Sequence, residues 1–91
     1  PASVAVAGAT ERPQYGGRFL RSIMGAKDKV RIYPVNPKYD EVLGMRCYPT
    51  VLDLPEVPDL VSVIVPRDHV MQVLEESAQI GVKAAIVISA A

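Results

Sequence analysis

Glycines near the amino terminus have the spacing that suits an anionic ligand. Gly8 follows a short apolar run, and Gly16 and Gly17 precede an amphipathic segment. Glycine lets a ligand approach the main chain closely, and the free N–H groups at the start of a helix attract negative charge. The order of strand, glycine loop and helix therefore predicts that a phosphate-bearing ligand is held against backbone.

The other reactive side chains give weaker signals. His69, the only histidine, has no cysteine or carboxylate cluster beside it, and we interpret it as an exposed residue at the start of a helix. Cys47, the only cysteine, excludes an internal disulfide, and we expect an inert, partly buried thiol. We predict no catalytic residue and no metal site in this chain.

Length and charge narrow the class of protein. The chain has 91 residues with 49% hydrophobic content, enough for one small domain over residues 1–91. Ten basic and ten acidic residues cancel, so we expect no nucleic-acid or membrane partner. No apolar run approaches the roughly 18 residues of a membrane span, and we expect a cytoplasmic protein. The chain starts at Pro1 and stops within an apolar run, and we interpret it as a piece of a longer multidomain protein.

Hydrophobic patterning predicts the elements that position these residues. The predicted strands are residues 4–7, 30–35, 60–65 and 84–89, and the predicted helices are residues 18–27 and a segment that begins after Pro66. Pro34 should lie near the end of its strand, and Gly81 should cap the second helix. Between residues 39 and 58 the pattern allows only a short strand at 45–47 and a helical turn at 50–54.

Alternating strands and helices predict an α/β fold, namely a Rossmann-like parallel sheet with helices on both faces. In such a sheet the ligand lies beyond the carboxyl ends of the strands, where the strand order reverses. If this reversal falls at the first strand, right-handed crossovers would place the two predicted helices on opposite faces of the sheet. The segments that would meet at this edge are residues 8–10, 36–38, 66–68 and 89–90.

The residues after the second strand separate ligand classes. A nicotinamide dinucleotide domain usually carries G-x-G-x-x-G and an acidic residue at this point. This chain has neither, and its second strand ends in Val35-Asn36-Pro37-Lys38. A cation there suits a nucleotide with an additional phosphate on its ribose, such as NADP or coenzyme A. No Walker-type Gly-Lys-Ser/Thr follows the first strand either, so a phosphorylated adenine nucleotide is predicted.

Five motifs carry a resemblance to a known family. They are S-V-A-V-A-G-A-T-x-R-P-x-x-x-G, Y-P-V-N-P-K, G-x-x-x-Y-P-T-V-x-D-L-P, D-L-V-S-V-I-V-P and G-V-K-A-A-I-V-I-S-A. With these motifs, which span nearly the whole chain, the sequence resembles the coenzyme A-binding domain of NDP-forming acyl-CoA synthetases. That group includes succinyl-CoA synthetase α subunits. The resemblance is closest to ADP-forming acetate–CoA ligases, in which this domain begins a longer chain.

The resemblance implies a role for each segment of the edge. The loop after the first strand would hold the coenzyme A phosphates, Lys38 would meet the nucleotide, the turn at 65–66 would lie beside the adenine, and residues 88–90 would lie near the pantetheine arm. Because the succinate enzymes have a more compact loop, the pairing of Gly16 or Gly17 stays open. The predicted cofactor-binding residues are Gly8, Ala9, Thr10, Arg12, Gly16, Gly17, Asn36, Lys38, Val65, Pro66, Arg67, Ile88, Ser89 and Ala90.

The resemblance also implies partners. In that family a histidine of a later domain carries the phosphate, and an ATP-grasp module binds the nucleotide triphosphate. His69 does not match that histidine, so we expect this chain to bind coenzyme A or acyl-CoA without catalysing thioester formation by itself. The phosphohistidine and ATP-grasp domains would belong to the same protein or to a partner subunit, and a homo-oligomer stays open. Two alternatives remain: a coenzyme A-binding regulatory domain, fused to a protein acetyltransferase or standing alone, and an NAD(P)-binding Rossmann domain.

Overall fold

The computed structural model describes residues 3–9, 25 and 29–87. In chain order its elements are β1 (Ser3–Ala7), β2 (Arg31–Val35), β3 (Glu41–Val42), β4 (Met45–Arg46), β5 (Leu60–Val63), helix α1 (Arg67–Gln79) and β6 (Ala85–Val87). Within these residues, four strands form a parallel sheet in the order β2-β1-β5-β6, and β3 pairs with β4 in an antiparallel hairpin. The predicted parallel sheet is confirmed, and its strand order reverses at the first strand.

Strand β1 is the centre of the sheet. All five of its residues are buried, because β2 and β5 flank it and both of its faces are covered. A strand in that position has apolar side chains on both faces, which is the pattern of Val4 to Ala7. Val4 and Val6 face one side with Ile64, whereas Ala5 and Ala7 face the other side.

Helix α1 covers the second of these faces. Val70, Val73 and Leu74 pack against the cluster that contains Ala5, Ala7, Val35, Val51, Val61 and Val63. The helix ends as predicted at Gly81, which has a φ of +88°. The N–H of Gly81 donates to the carbonyl of Ala78, and the N–H of Val82 donates to that of Ser77, which is a Schellman motif. The predicted helix at 18–27 lies outside the described residues.

The segment between β2 and β5 holds more structure than its sequence predicts. The expected short strand at 45–47 is paired with β3 in a hairpin, which the sequence analysis missed. Its two-residue loop, Leu43-Gly44, has φ values of 50° and 78°. Positive φ at both positions is typical of a type I′ turn, which usually carries Asn-Gly, so a leucine at the first position hides the turn.

The expected helical turn is confirmed as a short 3-10 helix, Val51–Asp53. Thr50 caps it, because the Thr50 hydroxyl accepts from the N–H of Leu52 and the Asp53 carboxylate accepts from the N–H of Thr50. In the part of the chain that the structure describes, we find no helix with the length and apolar character that crossing a membrane requires.

Candidate functional site

The carboxyl ends of β1, β2 and β5 lie level at one edge of the sheet. Ala7 is in register with Val35 on one side and with Val63 on the other. The segments that follow these strands are therefore neighbours. Three of the four predicted segments meet here, contributing the predicted site residues Gly8, Ala9, Asn36, Lys38, Val65, Pro66 and Arg67. Outside the described residues lie Thr10, Arg12, Gly16, Gly17, Ile88, Ser89 and Ala90.

Gly8 is required by the packing of the protein itself. It has a φ of +92°, and a Cβ at this position would lie 2.1 Å from the carbonyl oxygen of Ile64. Because both atoms in that clash would be fixed by backbone, no side-chain movement could relieve it. The sequence analysis explained Gly8 by the close approach of a ligand, and the structure adds the close approach of the chain after β5.

The amide groups of this loop are engaged within the fold. The N–H groups of Gly8 and Ala9 both donate to the carbonyl of Val35, at 2.8 and 3.2 Å. The N–H of Ile64 donates to the carbonyl of Ala7 at 2.9 Å. These bonds fix the ends of the three strands to one another, so Gly8 and Ala9 shape the edge without offering their amides to an anion.

Asn36 joins the loop after β1 to the turn after β2. Its Nδ2 donates to the carbonyl of Ala9 at 3.0 Å, and its Oδ1 accepts from the N–H of Lys38 at 2.9 Å. The latter bond closes an Asx turn over Pro37. The half-buried Asn36 side chain therefore holds two of the predicted segments at a fixed separation.

Two positively charged side chains lie at this edge of the sheet. Lys38 and Arg67 are both exposed, and neither belongs to an ion pair within the described residues, where the pair found is Arg31–Glu56. Helix α1 begins at Arg67 with no side-chain cap on its N-terminus. A helix N-terminus and unpaired cations both favour negative charge, so the edge is suited to an anionic ligand.

Cys47 lies behind the edge as a buried thiol. It is 5% exposed, and its Sγ donates to the carbonyl of Asn36 at 3.6 Å. Burial raises the pKa of the Cys47 thiol above its ordinary value. A thiol with a raised pKa is a poor nucleophile at neutral pH, as expected of an inert cysteine. His69 is exposed in the first turn of α1, as predicted.

Tyr48 is a residue of this region that the sequence analysis missed. Its N–H donates to the carbonyl of Pro34, and its carbonyl accepts from the N–H of Asn36. It thereby forms a parallel bridge with Val35 on the outer side of β2. Tyr48 lies in a segment with no helical or strand periodicity, so nothing in the pattern indicated that it supports Asn36.

A parallel sheet whose strand order reverses at such an edge is typical of α/β nucleotide-binding domains. A family model described as CoA binding domain matches residues 2–91. The chain therefore belongs to the CoA binding domain family, and the predicted family and cofactor are confirmed. The predicted roles of individual residues remain predictions.

Proteins of known sequence and structure agree with this assignment. An ADP-forming acetate–CoA ligase of Methanocaldococcus jannaschii is 42% identical over 91 residues, which are 99% of this chain and 13% of the ligase. A dinucleotide-forming acetyl-coenzyme A synthetase of Ca. Korarchaeum cryptofilum, solved with phosphate and ADP, is 39% identical with a TM-score of 0.90, over 97% of this chain and 19% of that one.

A conserved hypothetical protein of Pyrococcus furiosus is 31% identical with a TM-score of 0.87. The match covers 97% of this chain and 75% of that protein. The domain thus resembles both a small part of long ligases and most of a short protein.

Proposed function

We propose that this chain holds coenzyme A for an NDP-forming acyl-CoA synthetase, which makes acyl-CoA thioesters at the expense of ATP. The observation that carries the proposal is the position of Lys38 and Arg67, which have no ion-pair partner among the described residues, at the edge where the strand order reverses. Its similarity to the long ligases supports the proposed context, of which this chain would supply the cofactor-binding part.

Lys38 is the residue that favours coenzyme A over NAD. Dinucleotide-binding domains place an acidic residue after the second strand, where it accepts hydrogen bonds from the ribose hydroxyls. Here that place is taken by Asn36, whose side chain is engaged with Ala9 and Lys38, and by Lys38, whose ammonium group has no ion-pair partner among the described residues. An ammonium group binds a ribose phosphate and offers nothing to accept a hydroxyl proton.

Catalysis would be supplied elsewhere. Among residues 3–9, 25 and 29–87, no group of three or more His, Cys, Asp and Glu side chains could hold a metal ion. The phosphohistidine and ATP-grasp domains of the parent protein, or of a partner subunit, would transfer the phosphate. The role of this chain would be to orient the coenzyme A thiol, which would take the acyl group from an acyl phosphate and release inorganic phosphate.

Calorimetric titration with coenzyme A tests the proposal. We expect saturable binding, weakened roughly tenfold or more by Lys38→Ala, because a charge-assisted hydrogen bond contributes about 1.5–3 kcal/mol. Dephospho-coenzyme A, which lacks the ribose phosphate, should bind the unmodified chain about as weakly as coenzyme A binds the variant. Lys29→Ala is the matched control, since Lys29 is an exposed lysine just before β2, at the opposite end of that strand. Absence of heat with coenzyme A, together with binding of NADPH, would overturn the proposal.

A regulatory or stand-alone coenzyme A-binding protein is the second candidate. The short Pyrococcus furiosus protein, most of which this chain matches, favours it. The sequence of the full-length gene separates the two candidates. A phosphohistidine domain in the same gene or in a neighbouring gene supports the ligase, whereas an acetyltransferase domain, or no further domain, supports the regulator.

A further inference from the structure

Asn36 uses nearly all of its polar groups within the protein. Besides the two side-chain bonds to Ala9 and Lys38, its N–H donates to the carbonyl of Tyr48 at 2.9 Å. Its own carbonyl accepts from the N–H of Tyr39 at 3.4 Å and from the thiol of Cys47 at 3.6 Å. The residue is thereby fixed from the loop after β1, from its own turn and from the segment outside β2.

We infer that Asn36 is a positioning residue, which sets the separation between Lys38 and the loop after β1 without binding the cofactor itself. The inference rests on the proposed coenzyme A binding. A single short side chain spans two loops that leave neighbouring strands, and Pro37 restricts the backbone between Asn36 and Lys38. Lys38 otherwise sits on an exposed turn, where its backbone would sample many arrangements in the absence of this brace.

A positioning role and a direct binding role of Asn36 predict different energetic couplings between Asn36 and Lys38. If Asn36 acts through Lys38, removing Asn36 costs affinity only while Lys38 is present to be positioned. If Asn36 bound the cofactor directly, the two losses would be independent and would multiply. Residues that share one interaction show this non-additivity in a double-mutant cycle, and residues that act separately do not.

The experiment is a cycle of Asn36→Ala, Lys38→Ala and the double variant, titrated with coenzyme A. Loss of a pre-organised arrangement typically lowers affinity by roughly tenfold. We expect about that loss in each single variant, and a double variant close to the weaker single variant. A double variant about a hundredfold weaker than the unmodified chain would overturn the positioning role, as would unchanged affinity in Asn36→Ala.

A variant at the other end of β2 serves as the control for a general loss of stability. Glu56→Gln weakens the hydrogen bonds that Glu56 accepts from Arg31, at the start of β2, and should lower the melting temperature without changing coenzyme A affinity.

Asn36→Ser is the second variant, because a serine hydroxyl can still accept from the N–H of Lys38 while being too short to reach Ala9. It should retain more affinity than Asn36→Ala, and an equal loss would count against the inference. Absence of binding by the unmodified chain overturns the proposed function itself, whereas binding with multiplicative losses overturns only the role of Asn36.

Discussion

The two edges of the sheet differ in whether another segment of the chain pairs with the outer strand. Outside β2, the main chain of Tyr48 donates to Pro34 and accepts from Asn36, at 3.0 and 2.9 Å. Pro34 suits this position because it has no N–H to leave unpaired at an edge. At the opposite edge, β6 pairs with β5 alone among the described strands, and Ile86 and Val87 are 51% and 48% exposed.

Among the described residues, side-chain contacts reinforce the first of these edges. The Tyr48 ring meets Tyr33 edge-on, with centroids 6.1 Å apart, and the Arg46 guanidinium lies 5.1 Å from the Tyr48 centroid. Tyr33 in turn donates a hydrogen bond to Glu56, which is paired with Arg31. The edge that carries Asn36 and Lys38 is thus braced along its length. Of these contacts, the Tyr48 bridge lies beside the turn of Asn36 and Lys38, whereas the Glu56 pair lies at the far end of β2.

The largest expected effect is at Gly8, which ties β1 to the end of the braced strand. Gly8→Ala should destabilise the chain by more than about 3 kcal/mol, because strain at positive φ costs about 1–3 kcal/mol and the collision with Ile64 adds to it. Gly81→Ala is the matched control, since Gly81 has a φ of +88° but no atom of the described residues lies within 4 Å of the place its Cβ would take. Urea denaturation measures both, and equal losses would contradict the importance of the approach of Ile64.

A smaller loss of stability is expected from substitutions that compare the β2 edge of the sheet with the β6 edge directly. Tyr48→Ala should cost about 2 kcal/mol, because it removes an aromatic pair and a cation–π contact worth about 0.5–1.5 and 0.5–1 kcal/mol, with some buried area. Ile86→Ala should cost about 1 kcal/mol or less, because that side chain is already half exposed. Denaturation curves of the two variants provide the measurement. A greater loss in Ile86→Ala would mean that the β6 edge is the better supported one.

The smallest effect is a pH dependence at the braced edge. Hydrogen bonds from Arg31 and then Tyr33 lower the pKa of Glu56 from 4.5 to about 2. A carboxylate with a lowered pKa in the folded state contributes stability above its unfolded pKa and loses it as the pH falls. The stability advantage of the unmodified chain over Glu56→Gln should therefore be full above about pH 5 and decline towards pH 2. Melting temperatures across that range test this, and a constant difference between the two proteins would contradict it.

The strands could be predicted because their signal is local. Buried runs such as those of β1 and β5 are apolar apart from Ser3 and Ser62, and alternation with helices fixes the parallel topology. The hairpin could not be predicted, because Leu43 adopts a φ of 50° that its residue type does not announce. The pair of Arg31 and Glu56 could not be predicted either, because the two residues lie 25 positions apart, a separation that periodicity cannot detect.

The position of the candidate site at one edge of the sheet could also be predicted, because it follows from the topology. The sheet rule brings Gly8, Asn36 and Arg67 to one edge, and the structure places all three there. The internal bonds of Asn36 and the main-chain bridge at Tyr48 depend on contacts between distant segments, so no pattern along the chain could indicate them. Binding by Lys38 and Arg67 stays a prediction until coenzyme A is titrated.

The carbonyl of Ile64 occupies the place that a side chain at Gly8 would take. This changes what the presence of this glycine in other sequences indicates. A relative that had lost its cofactor altogether would still need glycine here in order to fold. Retention of the glycine therefore identifies the scaffold and carries no information about cofactor binding.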